Sequence, residues 1–198
     1  MFDGLVEGGT VMEQHKNDIK LGRFLCLVLR HHPEAAGIIL DKHGWADVRA
    51  LLDGVCSTGR QIDRETLERI VREDNKQRYS FNENHTKIRA NQGHSIQVDI
   101  ELKKVQPPQY LYHGTVAHFL PVIQTEGIRR MNRQYVHLSP DYQTAVAVGR
   151  RHGSPVVVLR IEAGAMAQNG MAFFRSENGV WLCEYVPPEY FCVVGDNS

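Results

Sequence analysis

Apolar positions recur at helical spacing early in the chain. Leu21, Phe24, Leu25, Val28 and Leu29 fall at i, i+3, i+4, i+7 and i+8, which gathers them on one face of a helix over residues 18–31. Asp18 suits its N-cap or first turn, and Pro33 stops it, so Arg30 and His31 occupy its final turn. Residues 1–15 are glycine-rich and carry no period; they read as a disordered tail, within which Met12 is a candidate alternative start. Beyond the helix, residues 37–40 predict a short strand, and Gly44 and Trp45 a turn. Asp47 caps a short helix through Leu52, and Asp63 caps another over residues 64–72 whose buried side is Leu67, Ile70 and Val71. Residues 79–81 and 87–90, joined by a polar turn at 82–85, predict a β-hairpin, and residues 96–102 alternate as a strand. The order helix, strand, helix, helix, hairpin fits a winged-helix-like module.

Gln106-Pro107-Pro108 breaks the pattern and reads as a linker. Strands dominate the rest of the chain. Residues 110–112, 135–138 and 156–161 predict strands, and helices are expected over 116–126 and 141–151, ended by Gly127 and Gly153. Phe173-Phe174 opens another strand, Asn178-Gly179 marks a tight turn, residues 180–185 continue the hairpin and residues 190–194 form a last strand. The expected class is α+β: a tail over 1–17, a first lobe over 18–105 and a β-rich second lobe over 109–198.

Composition narrows the function classes. The chain has 198 residues, 42% hydrophobic and 23% charged, the balance of a soluble globular protein. No apolar run is long enough for a membrane span, and no basic-then-apolar leader opens the chain. Cys26, Cys56, Cys183 and Cys192 lack metal-ligand spacing and read as buried free thiols of a reducing cytosol, so a cytoplasmic protein without a metal is expected. With 23 basic and 23 acidic residues, the chain is no polycation that coats RNA. Local anion sites remain open, because several of the ten histidines adjoin arginine, as in Arg30-His31-His32 and Arg151-His152.

Four short motifs carry the chemistry. The first, Leu29 to Pro33, also suits an ordinary helix end, where cations meet the negative pole of the dipole. In Ile88-Arg89-Ala90-Asn91-Gln92-Gly93-His94-Ser95 a strand ends in a polar stretch that concentrates hydrogen-bonding side chains around a glycine that lets the backbone approach a ligand. Tyr112-His113-Gly114-Thr115 and Arg133 to Ser139 each place a histidine two residues before a hydroxyl: His113 with Thr115, His137 with Ser139. Strand alternation puts each pair on one face. Arg150, His152 and Gly153 are weaker candidates, since a helix end looks the same.

With LRH, IRANQGHS, LYHGT, VHLS, RHGSPVV and ENGVWL in order between residues 20 and 191, the sequence resembles the RNA 2′-phosphotransferases, the KptA type of bacteria and the last enzyme of tRNA splicing in fungi. The resemblance implies a winged-helix lobe followed by an ADP-ribosyltransferase-like lobe that binds NAD⁺. It places the three strand positions of the cofactor site at His113, His137 and Val180, and the catalytic set at Arg30, His31, Arg89 and Arg133. Further cofactor contacts would come from Gly114, Thr115 and Ser139, and from Asn91, Gln92 and Ser95. Val180 stands where transferases that modify proteins commonly carry a glutamate. A phosphate nucleophile is already anionic and needs no base, only positioning and charge neutralisation by arginine.

The implied reaction has two steps. An RNA 2′-phosphate attacks C1″ of NAD⁺ and expels nicotinamide; the 2″-hydroxyl then attacks phosphorus, leaving 2′-OH RNA and ADP-ribose 1″,2″-cyclic phosphate. His31 would act by proton transfer or by phosphate contact. The implied partner is 2′-phosphorylated RNA, with no membrane and no obligate protein partner. Two other readings stand beside this one. The first is an ADP-ribosyltransferase acting on nucleic-acid phosphate ends. The second is a non-catalytic nucleic-acid-binding module, against which the neutral charge and the polar motifs outside the first lobe weigh.

Overall fold

The computed structural model describes residues 7–195. Two compact units divide between Ile100 and Glu101. That division precedes the Gln106-Pro107-Pro108 linker, because Lys104 bridges to Phe174 and the Val105 N–H donates to the Phe173 carbonyl, stitching this stretch to the second unit.

In the first unit, helix α1 (Glu7–Arg30) buries the five apolar side chains of the helical stripe, Leu21, Phe24, Leu25, Val28 and Leu29. The helix begins well ahead of Asp18 and takes in most of the expected tail; residues 1–6 of that tail lie outside the described residues. No proline interrupts the chain before Pro33, and the single interior glycine past Gly9, Gly22, is tolerated. Asp18 therefore does not cap the helix: it pairs with Arg69 of α3 at 2.9 and 3.2 Å. A 3₁₀ turn at Pro33–Ala36 closes on Gly37 at φ 60°, and Ile39 is 88% exposed, so residues 37–40 form no strand. Strand β1 (Ala46–Asp47) leads into α2 (Val48–Ser57), capped by Asp47 onto the Ala50 N–H, and Asp63 caps α3 (Arg64–Glu73) onto the Thr66 N–H. Helix α2 runs past Leu52 because Val55 is also buried against the core. The hairpin forms as β2 (Tyr79–Phe81) and β3 (Lys87–Ala90), and β1 adds to the other edge of β3, giving the order β1-β3-β2. Residues 96–102 bury Val98 and Ile100 as their alternation implies, yet they are irregular and form no strand.

The second unit holds two three-stranded antiparallel sheets and a short two-stranded one. The first joins β4 (Leu111–Val116), β7 (Val156–Ile161) and β11 (Phe191–Val194) in the order β11-β7-β4. The second joins β6 (Val136–Leu138), β8 (Phe173–Arg175) and β9 (Trp181–Cys183) in the order β6-β9-β8. Tyr112 and Ser139 exchange backbone N–H···O bonds of 2.9 and 2.7 Å across the seam between these sheets. The small sheet pairs β5 (Ile128–Arg129) with β10 (Tyr185–Val186).

Helix α5 (Tyr142–Gly149) packs on β4 so closely that a Cβ at Gly114 would stand 1.8 Å from the Ala145 carbonyl oxygen. The helix expected over 116–126 divides into a 3₁₀ turn and α4 (Leu120–Glu126), and α6 (Ala163–Gln168) had no sequence signal. The second core gathers Leu111, Leu138, Leu159, Ile161, Met166 and Phe173. All four cysteines are free, and only Cys183 is buried; Cys26 is half-buried, while Cys56 and Cys192 are exposed. No helix among the described residues is long and apolar enough to cross a membrane.

Candidate active site

In the first unit, the end of α1 and the loop after β3 meet. The Ser95 N–H donates to the Arg30 carbonyl at 3.0 Å, satisfying one of the carbonyls that a helix end leaves open. His31 Nδ1 and Ser95 Oγ are 2.9 Å apart. Gly93 adopts φ 88°, a conformation that favours glycine, and its backbone lies against Arg30: a Cβ there would be in van der Waals contact, 3.4 Å, with Arg30 Nη1. Arg89, on β3, is 9% exposed and stacks 4.4 Å above the Trp45 ring.

The loop itself is fixed by Asn91. Its N–H donates to Arg78 O at 2.8 Å, its side-chain NH₂ to Gln77 O at 2.7 Å, and its Oδ1 accepts from Ser80 Oγ at 2.8 Å. This side chain, read as a cofactor contact, thus holds its own loop in place. Gln92 is half-buried and Ser95 is exposed.

Two members of the cluster hold buried polar atoms that are unmatched: His94 is buried whole, Arg30 only in part. Arg30 Nε and Nη2, and both ring nitrogens of His94, have no hydrogen-bond partner. Burial first, then the charges of Arg30, His31 and Arg89, push the His94 imidazole down to about 4, so it is neutral at pH 7. The sequence gives His94 no role beyond its place in the motif; only its 1% exposure singles it out. The first unit thus brings together Arg30, His31, Arg89, His94 and Ser95, two guanidiniums with imidazole and hydroxyl groups suited to an oxyanion.

The second unit presents the paired motifs from its two main sheets. His113 and Thr115 lie within β4, which runs through the motif instead of stopping at Tyr112, and alternation turns both away from Gly114 and α5. His113 Nδ1 donates to the His137 carbonyl at 3.2 Å, and His137 Nδ1 donates to the Tyr135 carbonyl at 3.0 Å. Burial lowers the His113 pKa against that first hydrogen bond, and His152 and Arg133 lower it further. Those two side chains therefore lie near His113. Arg133 itself is exposed, on the turn that precedes β6. Ser139 is 8% exposed beside the seam. Val180 sits just before β9, after the Asn178-Gly179 turn: its N–H donates to Ser176 Oγ at 3.1 Å, and its carbonyl accepts the Ser176 N–H at 3.0 Å. It brings no carboxylate. Among the described residues, no group of three or more histidine, cysteine or acidic side chains could hold a metal ion.

The comparisons agree with one another. The family described as "RNA 2'-phosphotransferase, Tpt1 / KptA family" matches residues 16–185. A "Probable RNA 2'-phosphotransferase" of Fusobacterium nucleatum subsp. nucleatum is 53% identical over 174 residues, 88% of this chain and 97% of the relative. Proteins of the same name in Flavobacterium johnsoniae and Agrobacterium fabrum are 49% and 47% identical; the matches cover 86% and 89% of this chain, and 93% and 94% of theirs.

Proposed function

Because the chain belongs to the RNA 2′-phosphotransferase, Tpt1 / KptA family, we propose that it transfers an internal 2′-phosphate from RNA to NAD⁺. The products would be 2′-OH RNA, nicotinamide and ADP-ribose 1″,2″-cyclic phosphate. The observation that carries this reading is the cluster of Arg30, His31 and Arg89 in the first unit, in which the Arg30 donors Nε and Nη2 have no protein partner. NAD⁺ would supply the electrophilic ribose carbon and the neighbouring hydroxyl that takes the phosphorus. The order α1, β1, α2, α3, β2, β3 supports a winged-helix-like first lobe. Two short sheets meeting at a seam, with His113, His137 and Val180 on or beside their strands, support an ADP-ribosyltransferase-like second lobe.

The residues fit that cofactor. His113 is neutral and fixed through Nδ1, so its Nε2 is an acceptor for a ribose hydroxyl. Thr115, His137 and Ser139 add hydroxyl and ring groups beside it. Arg30 and Arg89, in the first unit, would hold the phosphate and take up charge as it passes from one oxygen to another; Arg133, in the second unit, is the further guanidinium of the catalytic set that the family resemblance implies. The absence of a carboxylate at Val180 favours a nucleophile that needs no base, which is a phosphate and not an amide or an alcohol. The substrate would be a splice-junction type of 2′-phosphorylated RNA, processed in the cytoplasm without a metal.

The test is incubation of the protein with NAD⁺ and a short RNA carrying one internal 2′-phosphate. Recovery of 2′-OH RNA with the cyclic phosphate is expected. RNA left bearing ADP-ribose would replace this reading with an ADP-ribosyltransferase acting on nucleic-acid phosphates, and no nicotinamide release would leave a binding module. Arg89→Ala and Arg133→Ala should each lower turnover by about 10²-fold, the cost of one donor to a developing oxyanion; a near-normal rate removes that residue from the site.

A further inference from the structure

We propose that His94 is a further substrate-binding residue: with Arg30 it forms a phosphate-monoester site of the first unit, where its imidazole donates a hydrogen bond to the RNA 2′-phosphate. The inference rests on the reaction proposed above but not on the cofactor.

The argument begins with orphaned polar atoms. His94 is 1% exposed, and neither ring nitrogen finds a partner; the same is true of Arg30 Nε and Nη2. A buried polar atom left without a hydrogen bond is destabilising, so a leucine would fill the place more cheaply if packing were all that mattered. The surroundings are built to hold the ring near the arginine. Gly93 lays its backbone on the Arg30 guanidinium, Ser95 ties its N–H to the Arg30 carbonyl, and Asn91 fixes the start of the same loop. On another side the ring packs against Gly44, where a Cβ would stand in van der Waals contact, 3.5 Å, with His94 Nε2.

Charge explains why a histidine suits this place. Arg30 and Arg89 already supply two permanent cations, and a third buried cation would repel them without a ligand present. A neutral imidazole adds a donor at no such cost. It keeps one N–H and one lone pair, so it can donate to a phosphate oxygen while the other nitrogen accepts from Arg30. The nearby phosphates of the reaction are chemically distinct: a terminal monoester on the RNA, diesters in its backbone, and the diphosphate of NAD⁺. Two arginines in the same cluster as a neutral donor match the monoester, which offers three oxygens and up to two charges.

The test compares the full-length wild type with His94→Leu and His94→Gln. Each is titrated, without NAD⁺, with RNA bearing one 2′-phosphate and with the same RNA bearing 2′-OH; NAD⁺ alone is the third ligand. His94→Leu should weaken the 2′-phosphorylated RNA by about 10-fold or more, an effect of the size of one hydrogen bond to a charged group. It should leave affinity for the other two ligands unchanged and should not lower the thermal midpoint. His94→Gln, which retains an N–H donor, should recover most of the loss, and the effect should appear in KM more than in kcat. In wild type, the ring ¹⁵N resonances of His94 should shift on addition of inorganic phosphate, a measurement that needs no variant. Wild-type affinity in His94→Leu, equal losses for all three ligands, or silent ¹⁵N resonances would each overturn the proposal. Selective binding of the 2′-phosphorylated RNA without nicotinamide release would instead sink the proposed reaction and leave the site standing.

Discussion

Acid should unfold the first unit across a window that His94 sets. The ordinary histidine value is 6.5, and burial plus the neighbouring cations Arg30, His31 and Arg89 bring His94 down to about 4 in the folded chain. Between those values the unfolded chain binds a proton that the native chain refuses, so stability falls as pH drops from 6.5 and the loss is complete near 4. From about pH 7.5 to about pH 4.5 this amounts to about 2.5 kcal/mol, a substantial part of a small unit's stability. Carboxylates contribute lower down. Glu34 is held below its usual range by His32 and Asp63 by the Thr66 N–H. Burial raises the Asp41 carboxyl, but the Trp45 N–H, Lys87 and the His43 N–H together outweigh it and leave the group lowered. Urea unfolding at the two pH values, read by Trp45 in a Trp181→Phe background, reports on the first unit. His94→Leu in the same background should lose most of the pH dependence, because the His113 contribution cancels in the comparison. An equal loss of stability on acidification with and without His94 would refute the reasoning.

Two further predictions concern close packing. Gly114→Ala would place a Cβ 1.8 Å from the Ala145 carbonyl oxygen, so α5 must lift from β4; a loss of about 3 kcal/mol or more is expected in urea unfolding of the second unit. Gly54→Ala meets the Ala36 carbonyl oxygen at 2.0 Å and should lower the thermal midpoint of the first unit by a comparable free energy, read by calorimetry. A wild-type midpoint for either variant would show that the backbone yields more easily than the packing implies.

Periodicity is a good guide where burial and hydrogen bonding run together. The stripe from Leu21 to Leu29 and the hairpin of β2 and β3 stand where the pattern puts them. The pattern misleads where the two separate. Residues 96–102 alternate and bury Val98 and Ile100, but alternation reports which side chains are covered, not whether a neighbouring strand is there to pair. Residues 163–168 are alanine- and glycine-rich, so α6 had no apolar stripe to announce it. Of the site, Arg30, Arg89, His113 and His137 could be picked out as residue types in dense polar motifs. The imidazole of His94 looks like any loop histidine until the chain folds around it, and the engagement of Asn91 with Gln77 and Ser80 is likewise a tertiary fact.

The seam between the two sheets of the second unit has a consequence for what sequence change can reach. It is made by main-chain groups of Tyr112 and Ser139, so no ordinary side-chain replacement removes it, and neither residue type is required for it. Its amides are therefore clocks. Their hydrogen-exchange rates time the parting of the two sheets separately from unfolding of either one, and a ligand that bridges the strands carrying His113 and His137 should slow both clocks together.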